Sequence, residues 1–391
     1  MLEGLDQIRW QDLTHAYGPA RDVPASIRAL ASSDPAVRDE ARDDLYGSIG
    51  HQGTRYEASS YALPFLVELA CEATVPDRPR ILGLVAHLAV GLQEGDLLRT
   101  GLTRSDAVHE QETIEDGDEW KIDAVAVYDA AIKEAPRLVA LAEEDDDPLV
   151  RMAALHTLGF LADAAAVTVP VLERLIARRP EPAELAGALL ALGLLASGNS
   201  ATAIKAEVGD LCAHQDPVVR YAALSAAARI AHAEGQPDSA AQERLLQMLA
   251  DEREALSSSN LPWNDGDLLG LGWITLGVVA EHFDAATIEQ AVSLLATLDG
   301  FAAVTLLTVL LEQLFPPDGP SPPATASDLT PAQHALLQVL ATTPRVWTIG
   351  GYTFGHFLLA TAAYGLPGDA AATARYLGGV PLRNCLPPGL R

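Results

Sequence analysis

The chain is poor in aromatic side chains. They occupy 5% of its 391 positions although 49% of the residues are hydrophobic, and alanine and leucine supply most of that apolar content. Both residues are strong helix formers, whereas sheets favour β-branched and aromatic residues. The composition therefore favours helices over sheets.

The few cysteines exclude two kinds of structural cross-link. Cys71, Cys212 and Cys385 are odd in number and lie far apart in the chain, so they indicate neither a disulfide framework nor a zinc-type spacing. The ten histidines include no HExxH pair. We predict no metal, no cofactor and a reducing, cytoplasmic compartment.

Long hydrophobic runs are missing as well. The N-terminal stretch MLEGLDQIRW lacks the basic and apolar regions of a secretion signal. Charged residues, Gly or Pro break every apolar run before it reaches a membrane-spanning length. We therefore predict neither a signal peptide nor a membrane segment.

The chain also has few basic residues. The chain has 26 Lys and Arg against 53 Asp and Glu, a net charge of −27. Such a field repels phosphate backbones and anionic membrane surfaces, and it attracts basic protein segments. We predict that neither nucleic acid nor a membrane is a partner.

What the chain does have is a repeated motif. Three segments share the pattern Asp-Pro-x-Val-Arg-x-x-Ala: DPAVRDEARDDL from Asp34, DPLVRMAALHTL from Asp147 and DPVVRYAALSAA from Asp216. Asp is a good helix N-cap and Pro is favoured at the first helical position. Each copy therefore predicts the start of a helix.

Proline-led segments alternate with these motifs. ALPFLVELA around Pro64, EAPRLVALA around Pro136 and TVPVLERLI around Pro170 each predict a second helix that is entered through proline. Helix pairs that recur every roughly 35 to 45 residues indicate an α-solenoid, and about eight such hairpins would fill the chain. The predicted fold class is all-α.

The motif resembles HEAT repeats, in particular the short bacterial type also seen in phycobilisome-lyase-like proteins. The clear matches cover residues 34 to 250, and the resemblance implies a right-handed superhelix of antiparallel hairpins. It also implies a structural ladder between neighbouring hairpins, built from Asp and Arg at the matching positions. These positions are Asp34, Arg38, Asp147, Arg151, Asp216 and Arg220.

The repeat pattern predicts one domain over residues 1–391. Its parts are an N-terminal cap (1–33), the repeats (34–313), a proline-rich linker (314–332), and a C-terminal repeat with its cap (333–391). In the C-terminal half we expect core packing, rather than a pocket, for the large rings. These residues are Trp263, Trp273, Trp347, Tyr352 and His356.

Insertions in the hairpins are the candidate sites. The first hairpin carries about seven extra residues within GSIGHQGTRYEASS (47–60), and the next carries a larger insertion that includes the acidic stretch HEQETIEDGDEW (109–120). Equivalent turns of a solenoid stack along one rim, so we expect the two insertions side by side. The acidic stretch lacks the pattern of an EF-hand and is predicted to be a solvated loop.

The polar residues of these insertions form a predicted binding patch. His51, Arg55 and Tyr56 place an imidazole, a guanidinium and a phenol in a glycine-flanked turn, a combination suited to a carboxylate or phosphate. Trp120 is an aromatic anchor of the kind that partners bury. The alternative is that the glycines only shape the turn, while Arg55 satisfies carbonyls at a helix end.

Two functional interpretations stay open. The first is a scaffold that holds a protein or peptide partner, preferentially a basic one, through its concave face and one rim. The second is an enzyme or small-ligand-binding protein of lyase-like type with a pocket on the concave face. HEAT-like repeats occur in phycobilisome lyases and in one class of alkylpurine DNA glycosylases, but fold analogy does not carry function. The sequence predicts no catalytic residues, so the scaffold is favoured.

Overall fold

The computed structural model describes most of the chain and is almost entirely helical. It describes residues 1–91, 100–113, 122–196, 204–236, 238–257, 259–280, 283–316, 319, 321–349, 352–353 and 355–387, except the side chains of residues 265, 301, 349 and 356. These residues contain nineteen α-helices, several 3-10 turns and two short β-hairpins. The all-α prediction is confirmed.

The helices follow one another in the order that the repeat pattern predicts. They are α1 (Val23–Ala29), α2 (Pro35–Ser48), α3 (Glu57–Cys71), α4 (Arg78–Val90), α5 (Arg104–Thr113), α6 (Ala124–Glu144), α7 (Pro148–Gly159), α8 (Ala165–Arg178), α9 (Pro182–Leu195), α10 (Lys205–Leu211), α11 (Pro217–Ala233), α12 (Ser239–Asp251), α13 (Arg253–Ser257), α14 (Leu268–Val279), α15 (Ala285–Leu295), α16 (Gly300–Leu314), α17 (Pro331–Thr342), α18 (Gly355–Ala363) and α19 (Ala370–Leu377). The antiparallel strand pairs are β1 (Thr14–His15) with β2 (Gly18–Pro19), and β3 (Thr348–Ile349) with β4 (Tyr352–Thr353).

The Asp-Pro motifs begin α2, α7 and α11, as the sequence predicts. In each copy the Asp side chain accepts a hydrogen bond from the backbone N–H two residues later, at 2.9 to 3.0 Å. Pro occupies the first helical position, where no intrahelical donor is needed. Local chemistry therefore fixes these helix starts.

The prolines of the second motif lie inside their helices instead of at the start. Pro64, Pro136 and Pro170 follow the first residues of α3, α6 and α8 by several positions. All three are partly or fully exposed, and the solvent-facing side is where a helix tolerates the bend that proline imposes. The prediction of proline-led entry is wrong, although the three helices exist.

The helices stack in two rows, which defines a helical-repeat solenoid. From α2 onward the described residues contain sixteen helices in chain order, the number that eight helix pairs require, with α5 and α13 as additional helices. Among residues 1–241 the first row is α2, α4, α7, α9 and α11, and each of these helices packs against the next. The second row is α3, α6 and α8. Further along the chain, α14, α16 and α18 form a first row, and α15, α17 and α19 a second row.

The array predicted as one domain over 1–391 consists of two compact units. One comprises Met1–Ala241 with Ser259–Gly266, and the other comprises Gln242–Ser258 with Asp267–Arg391. The three recognisable copies of the Asp-Pro motif all lie in the first unit, and the second unit consists of helices without this motif.

The predicted cap and linker take these forms. Within residues 1–33, α1 and β1 pack on the first hairpin. The proline-rich segment joins α16 to α17 inside one hairpin, and α17 begins at Pro331, two residues before the predicted boundary. The C-terminal residues hold this segment, because the Tyr376 hydroxyl donates to the Pro323 carbonyl at 2.6 Å.

The first-row helix α9 lies in the core. All side chains of α9 from Glu184 to Leu195 are buried, and a helix that is apolar around its circumference must be covered on every side. Trp263 supplies part of that cover: it is 1% exposed and its ring centroid lies 5.0 Å from that of His156 on α7. A Cβ at Gly187 of α9 would come within 3.2 Å of the same indole.

The other rings of the C-terminal half divide between core and surface. Trp273 is 1% exposed and Trp347 is 5% exposed, so both are core residues as predicted. Tyr352 is 82% exposed and contradicts the core prediction, because it lies in the short β3–β4 hairpin and not on a packed helix face. The side chain of His356 lies outside the described residues.

None of the helices in the described part of the chain combines the length and the hydropathy that a membrane crossing requires.

Candidate interaction site

The two insertions meet on one rim, as expected. Arg55 from the first insertion reaches Glu110 on α5, in the second: Nε lies 3.2 Å from Oε1 and Nη2 lies 2.5 Å from Oε2. The backbone N–H of Asp123 also donates to the Arg55 carbonyl at 3.0 Å. The second insertion is therefore attached to the first by a bidentate ion pair and by backbone pairing.

Arg55 is fully enclosed. It is 1% exposed, Glu110 is 4% exposed, and the third guanidinium nitrogen donates to the Ala89 carbonyl in the last turn of α4 at 3.0 Å. Gly91 has a φ of +65°, and a Cβ there would lie 2.5 Å from the Arg55 Nε. Gly91 has no side chain, and this leaves the space that the Arg55 guanidinium occupies.

The prediction that Arg55 and Tyr56 belong to an exposed binding patch is therefore wrong. Tyr56 is 6% exposed and burial raises its pKa. Its backbone N–H donates to the Ser59 hydroxyl at 3.0 Å, and that hydroxyl donates to the Ile49 carbonyl at 2.6 Å. The neighbouring hairpin covers the Arg55 guanidinium through Glu110 and the Ala89 carbonyl, and the local sequence does not show these contacts.

Among the described residues of the predicted patch, His51 is partly exposed to solvent. Its aromatic neighbour is Tyr17. The two ring centroids are 5.4 Å apart in an edge-to-face arrangement, and the Tyr17 hydroxyl lies 3.4 Å from Nδ1 of His51. Tyr17 is 68% exposed. We call Tyr17 and His51 the rim patch.

The β1–β2 turn holds Tyr17 in place. The His15 side chain, 4% exposed, accepts from the Tyr17 backbone N–H through Nδ1 at 3.0 Å, and its Nε2 lies 2.9 Å from the Asp22 carboxylate. Because a backbone N–H can only donate, Nδ1 carries no proton and Nε2 donates to Asp22. The Ala16 N–H donates to the Ser48 carbonyl at 3.1 Å, which anchors the turn to the end of α2.

Tyr17 is the site residue that the sequence interpretation missed. A lone tyrosine in THAYGP, near the N-terminus, carries no repeat pattern and no insertion that would mark it. Trp120 and the acidic residues from 115 to 119 lie outside the described residues, so their roles stay predictions. Glu112 lies on α5 and is exposed.

The rim patch brings a phenol and an imidazole together at the surface. Both nitrogens of His15 are engaged, so it is not available as a base. In the described parts of the chain, no group of three or more His, Cys, Asp or Glu side chains is placed to hold a metal ion. An exposed phenol ring beside an imidazole offers an apolar face and hydrogen-bonding edges to a partner.

The motif arginines Arg38 and Arg151 form ion pairs with the next hairpin, but their acidic partners are not the predicted aspartates. Each motif arginine donates through Nη1 to the carbonyl six residues earlier: Arg38 at 2.9 Å, Arg151 at 2.7 Å and Arg220 at 2.6 Å. Arg38 then pairs with Asp77 at 2.7 Å, and Arg151 pairs with Glu184 at 2.7 Å.

The motif aspartates do not form these rungs. Asp34, Asp147 and Asp216 cap their own helices. The acids of the rungs lie at the starts of α4 and α9, where the motif is too degenerate to recognise. A third rung joins Arg78 to Asp145 at 2.5 and 3.0 Å.

Asp145 makes this third rung dependent on pH. Burial acts to raise the pKa of its carboxyl group, but hydrogen bonds from Arg78 and from the Asp147 backbone outweigh burial and lower that pKa. A carboxylate with a lowered pKa stabilises the fold above its unfolded-state pKa, near 4, and this contribution is lost as the pH falls through the lower folded-state value.

We expect Asp145→Asn to lower the free energy of unfolding by about 2 to 3 kcal/mol at neutral pH, since Arg78 is left 10% exposed without its counter-ion. Urea titrations at several pH values measure this difference, which should shrink below about pH 4. Asp146→Asn, at the exposed neighbouring position, is the matched control and should be nearly neutral. An equal loss at all pH values would contradict the assignment.

A separate cleft lies between α10 and α11. Its volume is about 500 Å³, and apolar side chains including Val208 and Ile230 line it together with the Lys205–Glu234 ion pair. This is within the size range of small-molecule sites.

Comparison with known proteins finds similar chains among the solved structures. No protein-family model matches the chain, and no curated protein matches it. Among solved structures it is similar to a designed armadillo repeat protein in complex with the peptide (KR)4, with a TM-score of 0.35 and 17% identity, over 66% of this chain and 99% of that chain. The solenoid class rests on the stacked hairpins, and membership of the HEAT family stays a prediction.

Proposed function

We propose that the protein is a binding scaffold that engages a basic protein segment at the rim patch of Tyr17 and His51. The observation that carries the proposal is the 68% exposure of Tyr17 on a turn that His15, Asp22 and the end of α2 hold rigid. A large exposed ring that is already ordered contributes contact area at little cost in conformational entropy. Such residues are typical binding hot spots.

Two features favour a basic segment. The chain carries a net charge of −27, which draws cationic segments toward its surface. Tyr17 carries an exposed aromatic ring, and arginine and lysine side chains stack favourably on aromatic rings. The Asp22 side chain, 62% exposed, lies next to this turn and adds a carboxylate.

Direct binding measurements test the proposal. Fluorescein-labelled peptides that vary in the number and spacing of Arg and Lys, with acidic counterparts, are titrated with the full chain and followed by anisotropy. We expect Tyr17→Ala to weaken the best basic peptide by about 10- to 30-fold, the usual loss at a hot spot, and His51→Ala to weaken it less. Binding should also weaken as NaCl rises.

Tyr61→Ala is the matched control. Tyr61 is a tyrosine of the same unit, 45% exposed, on α3, and its loss should leave the affinity unchanged. Equal affinity of the wild-type chain and Tyr17→Ala for every basic peptide would overturn the proposal, as would a preference for the acidic peptides.

A further inference from the structure

The cleft between α10 and α11 has the size and composition of a ligand site, and the rim patch does not use it. Its volume of about 500 Å³ is enough for a small organic molecule. All of its lining residues belong to the first compact unit. Its apolar part consists of Val208 on α10 and of Ala227, Ile230 and Ala231, which share one face of α11.

The charged residues of the cleft are two acids and one base. Lys205 on α10 forms an ion pair with Glu234, the residue that ends α11. Asp238, just before α12, is the second acid. Because the ion pair compensates Lys205 and Glu234, the lining keeps one excess negative charge, that of Asp238. A ligand therefore meets an apolar wall together with a carboxylate.

Two helix ends hold Asp238 and the backbone beside it in place. Gly235 has a φ of +69°, and the Gln236 N–H donates to the Ala231 carbonyl at 2.9 Å, which is the bond of a glycine C-cap at the end of α11. One oxygen of Asp238 accepts from the backbone N–H groups two and three residues later, each at 3.0 Å. A carboxylate that is ordered before the ligand arrives lowers the entropic cost of binding.

This arrangement favours a cation over an anion. A helix N-terminus attracts anions through its free N–H groups, but at the start of α12 the chain's own Asp238 already occupies two of them. The C-terminus of α11, which carries the negative end of the helix dipole, also borders the cleft. Lys205, the one base among the lining residues, is paired. An anionic ligand would be repelled by Asp238, whereas an ammonium group pairs with it.

We propose that this cleft binds a small organic ammonium ion with an apolar stem. The ammonium group lies beside Asp238 and donates to its second oxygen, which makes no hydrogen bond within the described residues. The Ser239 hydroxyl, which also lines the cleft, is a further acceptor. The stem packs along Val208 and Ile230.

Isothermal titration calorimetry of the full chain with phenethylamine tests the proposal. We expect a Kd of about 0.1 to 1 mM, an ordinary affinity for a ligand of about nine non-hydrogen atoms. Phenethyl alcohol has the same stem without a charge, and phenylpropionate has a similar stem with the opposite charge. Both should bind at least about 10-fold more weakly than the amine.

Three variants locate the site. Asp238→Asn removes the charge and keeps a good N-cap, so the fold is retained and the Kd for phenethylamine should rise about 10-fold or more. Ala231→Trp should abolish binding with every charge kept, because the indole fills the cleft. Asp210→Asn is the matched control: Asp210 is an exposed acid of α10 outside the lining, and its change should leave the Kd unaltered.

Three outcomes would contradict the proposal. Phenylpropionate could bind as well as the amine, or Asp238→Asn could bind the amine as tightly as the wild-type chain does. The third concerns lysine side chains, which also carry an ammonium group on an apolar stem. If lysine-containing peptides bind in a way that depends on Asp238 while phenethylamine does not bind, the cleft receives a protein side chain instead of a small molecule.

Discussion

Replacement of Glu110 by alanine is expected to lower the free energy of unfolding by about 3 to 5 kcal/mol, which is the usual consequence of leaving a buried charge unpaired. Arg55 is 1% exposed, and two of its three guanidinium nitrogens bind this carboxylate. After the substitution the cation keeps the Ala89 carbonyl as a partner and loses its counter-ion. Chemical denaturation with urea measures the loss.

The second consequence of Glu110→Ala concerns the insertion itself. Since Glu110 fastens α5 to the first hairpin, the variant should be cleaved near α5 by proteases at concentrations that leave the wild-type chain intact. Glu112→Ala changes an exposed residue of the same helix and serves as the control, with an expected loss under about 0.5 kcal/mol.

A double variant separates the ion pair from its packing. Arg55→Met combined with Glu110→Leu removes both charges and keeps apolar volume, so it should recover most of the stability that Glu110→Ala loses. A double variant as unstable as the single one would show that the loss in Glu110→Ala does not come from leaving the Arg55 charge unpaired.

Replacement of Trp263 by alanine is expected to cost about 3 to 5 kcal/mol, the range for a large buried aromatic side chain. The indole is 1% exposed and lies against His156 of α7 and close to Gly187 of α9. Its removal leaves the apolar circumference of α9 partly uncovered. We expect the variant to bind a hydrophobic dye that the wild-type chain does not bind.

A double-mutant cycle with His156→Ala checks the contact. The two rings are 5.0 Å apart between centroids and nearly perpendicular, at 79°, so a coupling energy of about 0.5 to 1.5 kcal/mol is expected. Tyr352→Ala removes a ring that is 82% exposed and should be nearly neutral for stability. If the two substitutions change the free energy of unfolding in a strictly additive way, the Trp263 and His156 rings do not interact and the expected contact is wrong.

The polar residues of the first insertion show what a local sequence pattern can and cannot predict. Glycines and a run of polar side chains mark residues 47–60 as an inserted turn, and the turn is found there. Whether Arg55 is free to bind depends on Glu110, which lies 55 positions further along the chain. A local sequence pattern shows that Arg55 is an arginine in a turn, but it does not show a partner so far along the chain. The sequence therefore predicted an exposed binding residue where the structure has a buried ion pair.

The ladder shows the same limit in another form. The motif identifies the arginines because Asp-Pro and Val-Arg recur at fixed offsets. The acids of the rungs, Asp77 and Glu184, begin helices whose sequences have drifted from the motif. A rung needs only a carboxylate at the right place on the next hairpin, and different residues at different offsets satisfy that requirement.

The sequence by itself determined the helical class, the order of the hairpins and the position of the two insertions on one rim. These properties follow from interactions within a few residues, namely helix caps, apolar periodicity and breaks in a repeat. The tertiary structure alone decided that Arg55 and Tyr56 are buried, that Trp263 covers α9, and that Tyr17 is exposed. The burial of a residue depends on which side chains from distant parts of the sequence pack against it, and this packing forms only when the hairpins stack.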